Sequence, residues 1–254
     1  MPQLLRSINR ALGRTTGYHV ERSRPAHRAD RVRRFHDEEA RATMAAVEGW
    51  TMTSRARVFA LVVAVRYVVD HRVDGAMVEC GVWRGGSMQA VARTLLERGA
   101  SDRDLHLFDT FEGMPPPTDE DRRLAGPAAR ELLERSPRTA NVWAVADLED
   151  VRAGMSRTGY PGDRIRYHPG LVQDTLPSQA PERIALLRLD TDWYESTRHE
   201  LAHLYDRLTP GAVIIIDDYD YWEGSRKAVD EFIAAGQHRL LLVPVDSARV
   251  AVKP

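Results

Sequence analysis

Residues 184–219 read IALLRLDTDWYESTRHELAHLYDRLTPGAVIIIDDY. The opening apolar run, 184–189, is too brief for a helix and ends in acid at Asp190. Thr191 and Asp192 form a polar start signal, after which Leu201, Leu204, Tyr205 and Leu208 recur at helical spacing. Thr209-Pro210-Gly211 is read as the stop of that helix. Residues 212–216 are a second apolar run, rich in β-branched side chains, closed by Asp217 and Asp218. A helix between two strands that read as buried on both faces predicts a parallel sheet. The crossover in such a unit is right-handed, and ligands bind beyond the carboxyl ends of the strands.

This has a chemical consequence. Neighbouring strands lie roughly 5 Å apart, so Asp190, Asp217 and Asp218 are expected to converge at one sheet edge. Carboxylates that close repel one another and need protons or a cation at neutral pH. The local sequence offers no lysine, and Arg188 is free to point elsewhere. Oxygen-only donors suit a hard ion, which makes Mg²⁺ the natural candidate. The plainer reading gives each acid a helix cap to make, which fits Asp192.

At 254 residues, with 43% hydrophobic and 29% charged side chains, the chain has the make-up of one soluble α/β domain. A net charge of −1 gives no overall field to attract nucleic acid or an anionic membrane. Cys80, the single cysteine, rules out an internal disulfide and a multi-cysteine zinc site. Residues 1–14 lack the apolar core of a signal peptide, and 58–65 is too short to cross a bilayer. A cytoplasmic location is expected.

Residues 1–49 read as an Arg-rich arm with polar helices, and 50–254 as the catalytic-type domain. A helix is predicted at 55–70 and a first strand at 76–80 (AMVEC). Gly81-Val82-Trp83-Arg84-Gly85-Gly86-Ser87 is the turn into a helix that reaches residue 97. Glycines there permit close backbone approach, and the helix end offers free N–H groups. The spacing G-x-x-x-G-G is not the dinucleotide fingerprint G-x-G-x-x-G. Glu79, at the strand tip, favours a ligand with an ammonium group over a pyrophosphate. Asp109 closes the second strand, 105–108, where an acid can hold ribose hydroxyls or cap a helix. Residues 113–147, charged and broken by prolines, read as an insertion or lid. A third strand is expected at 165–168, a last helix at 223–235, and a closing antiparallel hairpin at 240–252.

His199-Glu200-Leu201-Ala202-His203 matches the zinc-peptidase pattern H-E-x-x-H. Both histidines fall off the apolar stripe of their helix, and the metzincin continuation is missing, because Asp206 stands where glycine is required. The match is rejected.

Four ordered motifs remain. They are Val78-Glu79-Cys80-Gly81-Val82-Trp83-Arg84-Gly85-Gly86-Ser87 and Phe108-Asp109-Thr110-Phe111-Glu112-Gly113-Met114-Pro115. Then come Leu187-Arg188-Leu189-Asp190-Thr191-Asp192-Trp193-Tyr194-Glu195-Ser196-Thr197 and Ile216-Asp217-Asp218-Tyr219, with Trp222-Glu223-Gly224 and Arg226-Lys227-Ala228-Val229 behind. Together they resemble the macrocin O-methyltransferase (TylF/MycF) family. The resemblance implies a Rossmann-like class I methyltransferase fold that uses S-adenosylmethionine and Mg²⁺ on sugar hydroxyls of antibiotic-type natural products, as a homo-oligomer. It implies that Glu79, Gly81, Trp83, Gly85, Gly86 and Ser87 surround the methionine part of the cofactor. Asp109 would hold the ribose, with Thr110 and Phe111 beside the nucleoside. Asp190, Asp217 and Asp218 would hold the metal, and Asp190 would accept the proton. Trp193, Tyr194, Tyr219 and Trp222 are either a sugar-stacking wall or core aromatics. A catechol-like phenol is the alternative acceptor.

Overall fold

The computed structural model describes residues 37–236 and 239–254. The basic arm expected at the N-terminus lies outside the described residues. The first described helices are α1 (Glu38–Ala46) and α2 (Arg55–Asp70). α2 starts at Ser54, whose hydroxyl accepts from Arg57 N, and buries Val58, Leu61, Val62, Val65 and Val68, a stripe of helical period.

The sheet then begins: β1 (Ala76–Cys80), α3 (Gly86–Glu97), β2 (Leu105–Asp109), α4 (Ala129–Arg135), α5 (Leu148–Ser156), β3 (Ile165–Pro169) and α6 (Val172–Thr175). After these come β4 (Ile184–Leu189), α7 (Tyr194–Leu204), β5 (Leu208–Ile216), α8 (Glu223–Gly236), β6 (Val243–Val245) and β7 (Ala248–Val252). The seven strands lie in the order β3-β2-β1-β4-β5-β7-β6. The first five are parallel, and β7 and β6 add the antiparallel edge. Every residue of β1 and β4 is buried, the charged Glu79 and Arg188 included.

Register places the site. Phe108, Cys80, Leu189 and Ile216 stand opposite one another across β2, β1, β4 and β5. The residues that follow them, Asp109, Gly81, Asp190 and Asp217, therefore leave the sheet in one row. The order reverses between β1 and β4, where an open α/β sheet leaves its crevice.

Two boundaries differ from the sequence reading. β5 starts at Leu208 and runs through Thr209-Pro210-Gly211, expected as a helix stop. Pairing shifts there, from Ile184 opposite Leu208 to Leu186 opposite Val213. A bulge accommodates a proline that has no N–H for the ladder. The hairpin is also shorter than expected, since 240–242 make no strand.

Candidate active site

A cleft of about 460 Å³ opens over the β1/β4 switch point. Its floor holds Gly81, Asp109, Asp190, Asp217 and Asp218, and its walls include Thr51, Met52, Thr53, Ser87, Tyr221 and Trp222.

On the β1–β2 side the turns are sewn together by one carboxylate. Asp109 accepts from Val82 N at 2.6 Å, Trp83 N at 3.0 Å and Phe111 N at 2.7 Å. Burial raises its pKa and those backbone bonds oppose the rise. Val82, Trp83, Ser87 and Thr110 line the cleft, whereas Phe111 is buried. Gly85 is left-handed at φ 78°, and α3 begins after it with no side-chain cap. Gly86 packs against the Trp50 backbone and donates to Trp50 O at 3.0 Å. That contact carries residues 51–53 into the wall, a role the sequence reading did not assign.

Glu79 does not face the cleft. It is fully buried and meets Arg188 Nη1 at 2.6 Å. Burial pushes its pKa up to about 7 despite the attraction of Arg188. Arg188, whose direction the sequence leaves open, is the counter-ion of the cluster: it also reaches Asp190 at 2.6 Å and Asp217 at 2.7 Å.

The structure brings Asp190, Asp192 and Asp218 together, with donor oxygens within 4.8 Å of one another. Asp217 lines the same cleft, but its carboxylate is ion-paired with Arg57 and Arg188. Asp192 caps nothing. It is left-handed at φ 66°, and burial pushes its pKa up to about 7 against hydrogen bonds with Asp218 and Trp222. The backbone N–H of Tyr194, at the start of α7, is taken at 2.7 Å by Asp121 of the insertion. Asp121 is fully buried and also accepts from Thr118 N and Oγ1, which pins the insertion to α7. Burial raises the pKa of Asp190 and Asp218 well above the carboxylate range, with Arg188 the main opposing influence at Asp190. Asp190 keeps 26% of its side chain exposed, so solvent tempers that rise. Asp218 Oδ2 is buried and reached by no donor among the described residues.

The aromatics divide. Trp193 and Trp222 are core residues, edge to face at 4.9 Å and packed with Ala129 and Leu133 of α4. Tyr194 and Tyr219 are tied by their hydroxyls to Glu231 and Asp230. The exposed ring at the cleft is Tyr221, which the sequence reading passed over.

The H-E-x-x-H run holds no metal group among the described residues. His199 and His203 lie side by side at 4.3 Å, and Glu200 points inward. Its Oε1 accepts from Thr191 Oγ1 at 2.9 Å, and burial pushes its pKa up to about 8 against that bond. A folded value above the unfolded 4.5 means that folding favours the protonated form. Stability is therefore full at low pH and drains away between about pH 4.5 and 8. Glu200→Gln removes that slope: its melting temperature relative to the native protein climbs across this range and then levels off. Thermal scans at a series of pH values test this, and a constant offset defeats it.

The mostly parallel seven-stranded sheet with its antiparallel edge is the fold of class I O-methyltransferases. The sequence model of the TylF macrocin-O-methyltransferase family matches residues 9–253, and the chain belongs to that family. It is thus an S-adenosylmethionine-dependent O-methyltransferase. Among similar proteins is the 8-demethyl-8-(2,3-dimethoxy-alpha-L-rhamnosyl)-tetracenomycin-C 4'-O-methyltransferase of Streptomyces olivaceus. It is 39% identical over 182 residues, 72% of this chain and 67% of its own length. The mycinamicin III 3''-O-methyltransferase of Micromonospora griseorubida is 36% identical, covering 72% and 69%. The structure of the O-methyltransferase NovP superposes with a TM-score of 0.70 at 30% identity, covering 80% of this chain and 82% of that one.

Proposed function

We propose that this enzyme methylates a sugar hydroxyl of a glycosylated natural product, with Mg²⁺ held at the acid cluster. The observation that carries the reading is the grouping of Asp190, Asp192 and Asp218 in the cleft of an S-adenosylmethionine-dependent fold. The donor set fits a hard divalent ion: every donor is oxygen, and Asp218 Oδ2 is a buried acceptor left without a donor. Bound there, Mg²⁺ supplies Lewis acidity that lowers the pKa of an alcohol beside it. Asp190, Asp192 and Asp218 would hold the ion. Asp217, expected among the ligands, would join only on release from Arg57.

The cofactor's half of the cleft also fits its ligand. The uncapped start of α3 at Ser87 can receive a carboxylate. Asp109 keeps the turns that line the nucleoside end in place. S-adenosylmethionine supplies an electrophilic methyl group, so the protein's task is alignment and removal of the acceptor's proton. Asp190, whose side chain stays partly exposed to the cleft, takes that proton. Tyr221 offers an exposed ring beside the acids against which a sugar can stack. The printed activities of the relatives, on a rhamnosyl tetracenomycin and on mycinamicin III, support a glycoside acceptor.

The test is a methyl-transfer assay over unmethylated deoxysugar glycosides and a catechol. The expected result is methylation of a glycoside, lost in EDTA and restored by Mg²⁺. Turnover of the catechol alone, or full activity after metal stripping, overturns the reading.

A further inference from the structure

Side chains alternate along a strand, and the alternation explains a buried cation. Arg188 on β4 stands opposite Glu79 on β1 and Ile215 on β5. Asp190 and Asp217 lie two residues beyond Arg188 and Ile215, so they project from the same face of the sheet. Arg188 is only 2% exposed, and an unpaired guanidinium at such a place would be strongly destabilising. Its two terminal nitrogens divide the work. Nη1 donates to Glu79 Oε1 and to Asp190 Oδ2, both at 2.6 Å. Nη2 lies 2.7 Å from Asp217 Oδ1 and donates to Thr53 Oγ1 at 2.8 Å. The planar fork of arginine can serve these partners at once, whereas the point charge of lysine cannot.

We propose that Arg188 is a positioning residue for the metal site: it fixes Asp190 within the acid cluster and holds Asp217 beside it, so that the site stands assembled before the ion arrives. The inference rests on the Mg²⁺ reading above. Asp190 is held by one oxygen, and the other is left to the cluster with Asp192 and Asp218. Asp217 is clamped between Arg188 and Arg57, and the same fork is tethered to Thr53 in the cleft wall.

The test is titration of the metal-stripped full chain with Mg²⁺ alone, followed by calorimetry. Arg188→Lys keeps the charge and loses the fork. In a protein that stays folded by far-ultraviolet circular dichroism, its Kd for Mg²⁺ is expected to rise at least ~10-fold, the usual effect of losing a group that orients metal ligands. Thr53→Val removes the tether and changes no charge; its Kd is expected to rise less, but measurably. Unchanged affinity in both variants overturns the proposal, as does tighter binding in Arg188→Lys, which would mean that the fork holds the carboxylates away from the ion. If Arg188→Lys does not fold, Thr53→Val decides alone. A native chain that binds no Mg²⁺ overturns the metal reading itself, and this inference with it.

Discussion

Asp190→Asn is expected to leave a folded protein that still binds S-adenosylhomocysteine but turns over at least ~10³-fold more slowly, since proton acceptance alone contributes ~10²–10⁴. Asp190 carries two functions in the proposed reaction, metal ligand and proton acceptor, and the amide weakens the first while removing the second. The fold should survive. Arg188 keeps Glu79 and Asp217 as partners, and the Asp190 backbone stays bonded to Cys80 O at 2.8 Å. The β1 and β2 turns, proposed above to receive the cofactor, are left untouched by the substitution. Single-turnover methyl transfer to whichever glycoside the native enzyme accepts, at saturating Mg²⁺, measures the loss. Near-native rates would remove Asp190 from the chemistry.

The second large effect is structural. Gly81 has φ +83°, and a Cβ added there would fall on the carbonyl of Asp190, with Thr191 N only 3.0 Å away. The obstacle is backbone fixed in the sheet, so it cannot swing aside as a side chain would. Gly81→Ala combines a left-handed alanine, costing about 1–2 kcal/mol, with overpacking worth about 1–3 kcal/mol. For a chain of this size that corresponds to a fall of roughly 5–15 °C in melting temperature, together with lost cofactor binding, because the turn after β1 is displaced. Gly99 supplies the control: it has φ +66° but no atom within 4 Å of its added Cβ. Gly99→Ala should therefore cost only the strain. Equal melting temperatures for the two variants would refute the steric account.

Most of the fold was legible because it depends on local pattern. Apolar runs too short for helices, glycine at the turn after 76–80 and acids closing 105–108, 184–189 and 212–216 give the strands and their crevice without any tertiary knowledge. The same holds for Asp109 and Asp190, since a residue that ends a buried parallel strand has one place to go. The start of β5 was misread because proline is a stop signal in an isolated segment, and only pairing with β4 reveals the bulge that tolerates it.

The site's inner wiring was beyond the sequence for a different reason. Glu79 looks like a ligand group at a strand tip until Arg188, 109 residues away, takes its carboxylate. Asp192 looks like a cap until Asp121 of the insertion takes the start of α7 and leaves it to the acid cluster. Thr51–Thr53 and Tyr221 carry no motif and become walls only through where neighbouring elements place them. The sequence by itself thus determined the succession of strands and helices along the chain, the crevice and the acids that reach it. Which acids share the cleft and which are spent on arginines was decided by the tertiary structure. Ion pairs within hydrogen-bond distance depend on register and side-chain direction between distant strands, and no local pattern encodes those.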